Sequence, residues 1–211
     1  SPTEEIVRNK DREFVSFGKD NKYPEYLWSL YEDVLTLAAI INGTTDYATG
    51  EKTTLKIKGF EKVVNRKNET IEEVMGKCIV DKMVFGGYYL NIIRDGYGNV
   101  SDIYHIDYRN VRTDKENEVF FYSEEWGSKT YGRVKTILYP RFNGNENQPT
   151  SILFVKGKTN REVYTKPVYY PSVVACEIER KINKYHLNAI NNGFSASYMI
   201  NFNNGQPTDE I

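Results

Sequence analysis

Residues 14–42, FVSFGKDNKYPEYLWSLYEDVLTLAAIIN, combine a tight-turn sequence with a long apolar-patterned segment. The turn sequence GKDN occupies residues 18–21, and Pro24 follows closely. Proline is favoured at the first position of a helix, because its missing N–H would have no intrahelical partner there. Apolar residues then recur at three- and four-residue steps: Leu27, Leu30, Tyr31, Val34, Leu37, Ala38 and Ile41. This spacing predicts one amphipathic helix whose apolar face, including Leu30 and Val34, is buried.

Local signals mark the end of this helix and both ends of a second one. Gly50 is a candidate C-cap for the first helix, since glycine tolerates the left-handed conformation found there. Thr70 and Glu73 form the T-x-x-E pattern of a capping box. The second helix is predicted to end at Gly86, with buried positions at Ile71, Val74, Met75, Cys78, Ile79, Met83 and Val84.

A third helix is predicted over residues 172–192, with Ser172 as its N-cap and Gly193 as its left-handed stop. Its length corresponds to a rod of roughly 30 Å. Glu177 and Lys181 lie four residues apart and are predicted to pair on its polar flank. The apolar face consists of Val174, Ile178, Ile182, Tyr185 and Ala189.

The remaining regular structure is predicted to be extended. Strands are expected at residues 53–58, 88–94, 100–106, 119–122, 134–139, 152–155 and 196–202. A Gly- and Asn-containing turn at residues 95–99 predicts a hairpin, and residues 123–132 and 141–150 are predicted loops. The sequence therefore indicates an α+β fold with mixed helices and a mainly antiparallel sheet.

The charge balance limits the nucleic-acid functions that the chain can have. Its 211 residues include 28 basic and 29 acidic side chains, for a formal net charge of −1. Proteins that grip nucleic acid by its phosphates normally show a basic excess or a basic stripe. The balance argues against tight phosphate binding, and the 39% apolar content argues against disorder.

Cysteine usage and the chain ends give further expectations. Cys78 and Cys176 lie in apolar helical contexts, which indicates small buried thiols in a reducing compartment. No apolar run has the ~18 residues needed to span a bilayer, and no signal-peptide pattern is present. The chain starts at Ser1 and stops at Ile211, just after cap-type residues, so we expect a fragment of a longer protein.

Residues that could carry chemistry are sparse. Asp102 and His105 on the predicted strand 100–106 could act as a general-base pair, which leaves open an enzyme of a phage or mobile element. No nucleophile motif accompanies them, so a histidine on the open face of a sheet is favoured. His186 carries no signal, and no metal or nucleotide motif occurs, so no catalytic residue, metal site or cofactor is predicted.

Tyrosine is abundant, with 17 residues in the chain. Tyrosine buries area at low entropic cost, so a tyrosine-rich protein-binding module is a second alternative to core and edge-strand packing. The candidate tyrosines are Tyr23, Tyr26, Tyr31, Tyr88, Tyr89, Tyr104, Tyr108, Tyr122, Tyr164, Tyr169 and Tyr170.

Several strings, in order, resemble the portal proteins of tailed bacteriophages and prophages. The string F-G-x-D-N-x-Y-P-x-x-L at residues 17–27, followed by AAIIN, resembles the opening of those proteins. FGGYYLNIIRD at residues 85–95 is similar to their passage from helix to hairpin. IYHI at 103–106, with Val111-Arg112, resembles the strand that follows. NNGF at 191–194 and NNGQP at 203–207 resemble the passage beyond the stem-entry helix.

The resemblance implies a structural subunit without an active site. It implies a wing-like domain over residues 1–170, a projecting stem helix over 171–193 and the start of a clip-like region over 194–211. Such subunits form a ring of twelve at one capsid vertex, through which DNA is packaged and ejected. The implied partners are the terminase motor, capsid and head–tail adaptor proteins and, transiently, double-stranded DNA, with no membrane.

The resemblance also implies a location and an interface. The protein would be part of a virion assembled in the bacterial host cytoplasm. In a ring, part of the polar flank of the stem helix should meet a neighbouring subunit or face the channel. The candidate residues are Glu177, Glu179, Arg180, Lys181 and Lys184. An isolated chain should leave this helix less buried than its apolar pattern suggests.

Overall fold

The computed structural model describes residues 6–9, 12–50, 63–126, 136–144, 147–157 and 163–193. The helices in these ranges are α1 (Tyr23–Asp33), α2 (Leu35–Thr49), α3 (Ile71–Phe85) and α4 (Val173–Asn191). The strands are β1 (Ile6–Asn9), β2 (Arg12–Val15), β3 (Gly87–Arg94), β4 (Val100–Ile106), β5 (Val111–Thr113), β6 (Val119–Tyr122), β7 (Ile137–Pro140) and β8 (Thr150–Lys156). Short 3-10 turns, Tyr108–Asn110 and Tyr170–Ser172, precede β5 and α4. The predicted α+β class is confirmed.

The described strands form two antiparallel sheets. The larger sheet has the order β1-β2-β5-β6-β7, and the smaller has the order β4-β3-β8. β3 and β4 form the predicted hairpin, in which Ile92 pairs with Ile103 and Gly98 in the turn has a φ of 85°. A parallel bridge between Arg141 and Ile152 connects the end of β7 to β8. The two sheets are therefore joined at this edge.

Most strand predictions are confirmed at β3, β4, β6 and β8. β7 covers the last three residues of the predicted strand 134–139 and extends one residue beyond it. The first two residues of that predicted strand lie outside the described ranges. The predicted loop 141–150 ends one residue early, because Thr150 begins β8. The short strands β1, β2 and β5 were not predicted. The predicted strands 53–58 and 196–202 lie outside the described residues.

The helix predicted after Pro24 is in fact two helices, so that prediction is wrong. Val34 separates them with extended backbone angles, φ −108° and ψ 104°. Its N–H still donates to the Leu30 carbonyl at 3.0 Å, and its own carbonyl accepts from the Ala38 N–H at 2.9 Å. The break therefore leaves the apolar stripe continuous. The buried stripe residues are Leu27, Leu30, Val34, Leu37 and Ile41, which confirms the predicted burial of Leu30 and Val34.

The turn before α1 is fixed by a residue far away in sequence. Gly18 has a φ of +86°, and a Cβ there would lie 2.9 Å from the Tyr23 Cβ. Asn21 has a φ of 59°, and its side-chain Oδ1 accepts from the Phe17 N–H at 2.9 Å and from Arg112 Nε at 2.6 Å. Arg112 Nη2 also donates to the Asn21 carbonyl at 2.6 Å. The fully buried Arg112 thereby attaches the turn to β5.

Helix α3 has the caps that its sequence predicts. Thr70 and Glu73 form the reciprocal capping box, with side chains bonded to each other's backbone N–H. Gly86 ends the helix with a φ of +89°, and a Cβ there would lie 2.2 Å from the Lys166 carbonyl oxygen. No other residue fits without moving that backbone. This close approach lets β3 start directly after α3.

Aromatic rings connect the helices to the small sheet. Tyr108 stacks on Phe85 at 4.7 Å between ring centroids and lies 4.9 Å from Tyr89, which stacks in turn on Phe154 at 4.4 Å. The Tyr108 hydroxyl is 2.7 Å from the Thr165 hydroxyl, so its polar end is satisfied inside the core. The body of the protein, which we define as α1–α3 with both sheets, is therefore built on a continuous aromatic core.

Candidate functional site

Helix α4 follows the 3-10 turn Tyr170–Ser172. Ser172 occupies the N-cap position, but its side chain makes no capping hydrogen bond, so the predicted capping role is wrong. The 3-10 turn leads directly into the helix, and within it the Ser172 N–H donates to the Tyr169 carbonyl at 2.7 Å. At the other end Gly193 has a φ of +66°, as its predicted role as a stop requires.

The first half of α4 is attached to α1 mainly through charged groups. Arg180 Nη1 lies 3.5 Å from Asp33 Oδ2 and donates to the Ser29 hydroxyl at 3.2 Å. Lys184 Nζ lies 3.7 Å from the same Asp33 oxygen. The Arg180 guanidinium also lies 5.9 Å from the centre of the Tyr26 ring. The end of α1 therefore binds two cations of α4.

Two carboxylates complete this attachment. Glu177 accepts from Arg180 Nη2 at 2.5 Å, in place of the predicted pairing with Lys181. Burial raises the pKa of the Glu177 carboxyl, but the hydrogen bonds from Arg180 and Tyr26 and the charges of Arg180 and Lys181 together lower it by more, so the net shift is downward. Glu179 accepts from the Thr36 hydroxyl at 2.5 Å at the start of α2.

Four of the five candidate residues thus contact each other or α1 and α2 of the same chain. The remaining one, Lys181, is exposed. Each residue advances about 100° around a helix. Lys181 therefore lies on the edge of the apolar face that Val174, Ile178 and Tyr185 form.

That apolar face is open to solvent. Val174, Ile178, Ile182 and Tyr185 are between 48% and 71% exposed. Cys176 is the buried residue on the opposite side of α4, which faces the body. Every residue from 181 to 193 is exposed except the half-buried Ala189. The prediction that this helix is less buried than its apolar pattern suggests is confirmed.

The structure gives His105 a partner that the sequence analysis missed. His105 Nε2 lies 2.7 Å from Asp81 Oδ2 on α3, and both side chains are largely buried. The Tyr108 N–H donates to the same Asp81 oxygen at 3.3 Å. Burial raises the pKa of Asp81, and His105 opposes that shift. The expectation that His105 lies on an open sheet face is wrong, because α3 covers that face.

Asp102 is not part of this pair. Residues 102 and 105 are three apart on a strand, so their side chains point to opposite faces of the sheet. Asp102 accepts from the Arg66 N–H at 3.0 Å and from the Ser101 hydroxyl at 2.8 Å. The Asp102/His105 surface on which the enzyme alternative depended is therefore not assembled. Asp81 could have been found from its spacing, because it continues the buried stripe of Ile71, Val74 and Cys78.

The candidate tyrosines are mostly part of the packing. None of the eleven is exposed, and Tyr89, Tyr108 and Tyr164 are fully buried. Their burial favours core packing over the binding-module alternative. The two cysteines are free and buried, as predicted. Burial raises the pKa of the Cys78 thiol to about 12.

Among the described residues, no group of three His, Cys, Asp or Glu side chains is placed to hold a metal ion. None of the described helices combines the length and the apolar character that crossing a bilayer requires.

Comparison with known proteins shows a shared fold. A chain in the neck of a native gene transfer agent particle, computed with C12 symmetry, matches with a TM-score of 0.59 at 11% identity. The match covers 92% of this chain and 48% of that one. The neck of an empty particle, computed with C6 symmetry, matches with a TM-score of 0.57, and the virion of the native particle matches with 0.55, both at 11% identity.

The shared fold extends over most of the chain but over only part of its structural relatives. The matches to the empty neck and the virion each cover 84% of this chain and 48% of the other. The chain thus spans about half the length of these relatives. No protein-family model and no curated protein matches it. The protein therefore shares the fold of about half of a chain found in gene transfer agent particles.

Proposed function

We propose that the chain is a structural subunit of the neck of a phage-like particle, and more specifically of a portal ring at the capsid vertex. The observation that carries this proposal is the shared fold over 92% of the chain with a protein in a C12-symmetric neck. The portal-like strings in the sequence, which occur in the same order, support it independently. The ring would serve as the channel for DNA packaging and ejection and as the head–tail attachment point.

In this role the three segments have separate tasks. Residues 1–170 form the wing, residues 171–193 form the stem helix and residues 194–211 begin the clip. The exposed apolar face of α4 supports the stem assignment, because a helix that packs only within its own chain would bury that face. Residues 181–193, which are almost all exposed, are the part of the stem that other subunits would cover.

The charge of the chain suits a channel. The 28 basic side chains are balanced by 29 acidic ones, so the net charge of −1 gives no overall attraction to phosphates. Because each neutralised phosphate adds affinity and slows passage, a wall for sliding DNA should adhere weakly. The partners in this role are identical subunits in a ring of twelve, the terminase motor, capsid and head–tail adaptor proteins, and double-stranded DNA in transit. The subunit would belong to the virion and assemble in the host cytoplasm.

We assign no catalytic residue to this subunit. The Asp81–His105 pair connects α3 to β4 beneath the surface, with the Tyr108 N–H as a further donor. Its role in this proposal is structural. His105→Ala should therefore lower stability, because it leaves the Asp81 carboxyl buried without its partner. The variant should still complement a portal-defective phage. A folded and assembled variant whose plaque count falls to background would contradict the assignment.

The proposal is tested by electron microscopy of the purified full-length protein. Rings with a central hole, of twelve subunits, are expected. A protein that stays monomeric at every concentration tested would contradict the ring. The particle to which the protein belongs can then be labelled with an antibody, and the label should lie at one vertex rather than over the whole capsid.

A further inference from the structure

The structure contains a second exposed apolar helix face, on α2. Leu35, Ile40 and Tyr47 are 63% to 90% exposed and lie off the buried stripe of that helix. Ala39 and Gly43, which are small and exposed, lie between them, and a Cβ added at Gly43 would meet nothing within 4 Å. We call the surface of these five residues the α2 face. Small residues at its centre allow close approach of another helix.

The α4 face, which we define as Val174, Ile178, Lys181, Ile182 and Tyr185, has the complementary shape. Its four apolar side chains are large, and they follow one another at three- and four-residue steps. A ridge of large residues packs best against a groove of small ones, as ridges-into-grooves packing requires. The large side chains of the α4 face therefore fit over the small residues Ala39 and Gly43 at the centre of the α2 face.

The charges around the two faces are also complementary. Residues 23–50, which include α1 and α2, contain four acidic residues and no basic one. Residues 180–191 of α4 contain Arg180, Lys181 and Lys184 and no acidic one. Arg180 and Lys184 already meet Asp33 within the chain, whereas Lys181 and Asp46 are exposed. An exposed cation thus borders one face and an exposed carboxylate borders the other.

We propose that the α4 face of one copy packs against the α2 face of a neighbouring copy of this chain. The proposal rests on the ring proposed above and names the surfaces that form it. Two different surfaces of one molecule that bind each other make a heterologous contact, which is the kind of contact that closes rings. Apolar side chains form the centre of the contact, and Lys181 and Asp46 lie at its edge. Opposite charges at an edge favour the correct partner more than they add affinity.

Cross-linking of cysteine variants of the full-length protein tests this contact. Ala39→Cys and Ile178→Cys place one thiol on each face, at exposed positions. The two variants are co-expressed and treated with a short bismaleimide, and the products are separated under denaturing conditions. The wild-type protein is the control. Cys78 and Cys176 are buried with raised pKa values, so their thiolate, the reactive form, is scarce, and any labelling of further cysteines is measured by this control.

The expected result is a covalent dimer from the co-expressed variants and none above the wild-type background from either variant alone. The double variant should give a ladder of higher oligomers, because each copy then carries both halves of the contact. Lys181→Glu should reduce the yield of cross-linked dimer, and adding Asp46→Lys should restore part of it.

Electron microscopy of the same samples separates the ways in which the proposal can fail. Rings without cross-linked dimers would overturn the α2–α4 contact and leave the ring intact. The absence of both rings and cross-linked dimers would overturn both proposals. A cross-link that forms only within single copies of the double variant would show that the two faces meet inside one chain. That result would also overturn the proposal.

Discussion

Apolar side chains are mostly buried in the body of the protein, whereas those of the α4 face are exposed. In the body, the stripe of α1 and α2 and the aromatic rings around Tyr108 are almost completely buried. In α4, Cys176 is buried while the four large apolar residues of the α4 face are exposed. The body is held by apolar packing, whereas α4 contacts it through Cys176 and Val173 at its start, ion pairs with Asp33 and the Glu179–Thr36 hydrogen bond.

This difference indicates what each region requires. Burial of apolar surface is the main favourable contribution to folding, so the body contains what it needs within one chain. A contiguous exposed apolar face is uncommon on a monomeric protein and marks an interaction site. Substitutions in the body should therefore change stability, and substitutions on α4 should change assembly.

The largest loss of stability is expected at the buried guanidinium. Arg112→Met should lower the free energy of unfolding by about 3–5 kcal/mol, because it removes the donors to Asn21 and to two backbone carbonyls. Arg141→Met, which removes an exposed pair with Glu118, is the control and should cost about 1 kcal/mol or less. Urea denaturation of dilute protein measures both, and equal losses would contradict the role of Arg112.

Two leucines of the same segment give the next comparison. Leu30→Ala should lower the free energy of unfolding by roughly 2–5 kcal/mol, because Leu30 is completely buried and its truncation leaves a cavity. Leu35→Ala should change the free energy of unfolding by about 0.5 kcal/mol or less, because Leu35 lies on the exposed α2 face. An unchanged unfolding midpoint for Leu30→Ala would show that the apolar stripe does not face a core.

A smaller and pH-dependent effect is expected at Asp107. Burial raises the pKa of its carboxyl, but three Arg109 side-chain hydrogen bonds, the Arg109 N–H and the charges of Arg109 and His105 together lower it by more, and the net pKa is depressed. The carboxylate therefore stabilises the fold above its unfolded pKa of about 3.9, and this contribution is lost as the pH falls through the folded value. Asp107→Asn should cost about 1 kcal/mol near neutral pH and progressively less below pH ~4. A cost that is independent of pH would contradict this assignment.

The smallest effect is expected where α4 meets α1. Asp33→Asn removes the acceptor of Arg180 and Lys184 and should lower the free energy of unfolding by about 0.5–1 kcal/mol at low salt. The loss should shrink as salt screens the wild-type pairs. Amide hydrogen exchange should become faster in α4 and not in α3. Faster exchange in both helices would indicate that α4 is an integral part of the body core.

Features governed by neighbours in sequence were predictable. The Thr70–Glu73 capping box, the helix ends at Gly50, Gly86 and Gly193, where φ is positive, and the β3–β4 hairpin depend on a few adjacent residues. The buried stripe of the first helices followed from its spacing in the same way. These signals are local, and they were sufficient for the α+β class.

Features that depend on distant contacts were not predictable. The break at Val34 keeps the same apolar stripe, so the pattern could not reveal it. His105 pairs with Asp81, 24 residues away, and the spacing along β4 could not show that α3 covers it. The α4 face was identified as an apolar face, but its exposure follows from the position of α4 at the side of the body. The α2 face was missed because it lies beside a much stronger buried stripe.

The most direct test of the central claim is the mass of the assembled full-length protein after a charge is placed on the α4 face. Ile178→Asp should abolish ring formation, measured by mass photometry, and leave the unfolding midpoint of the dilute subunit unchanged. Tyr97→Asp is the control, since Tyr97 is a large side chain in the β3–β4 turn that is more exposed than Ile178, and this variant should form rings as the wild type does. Rings of unchanged mass from folded Ile178→Asp would contradict the claim that this face joins neighbouring subunits.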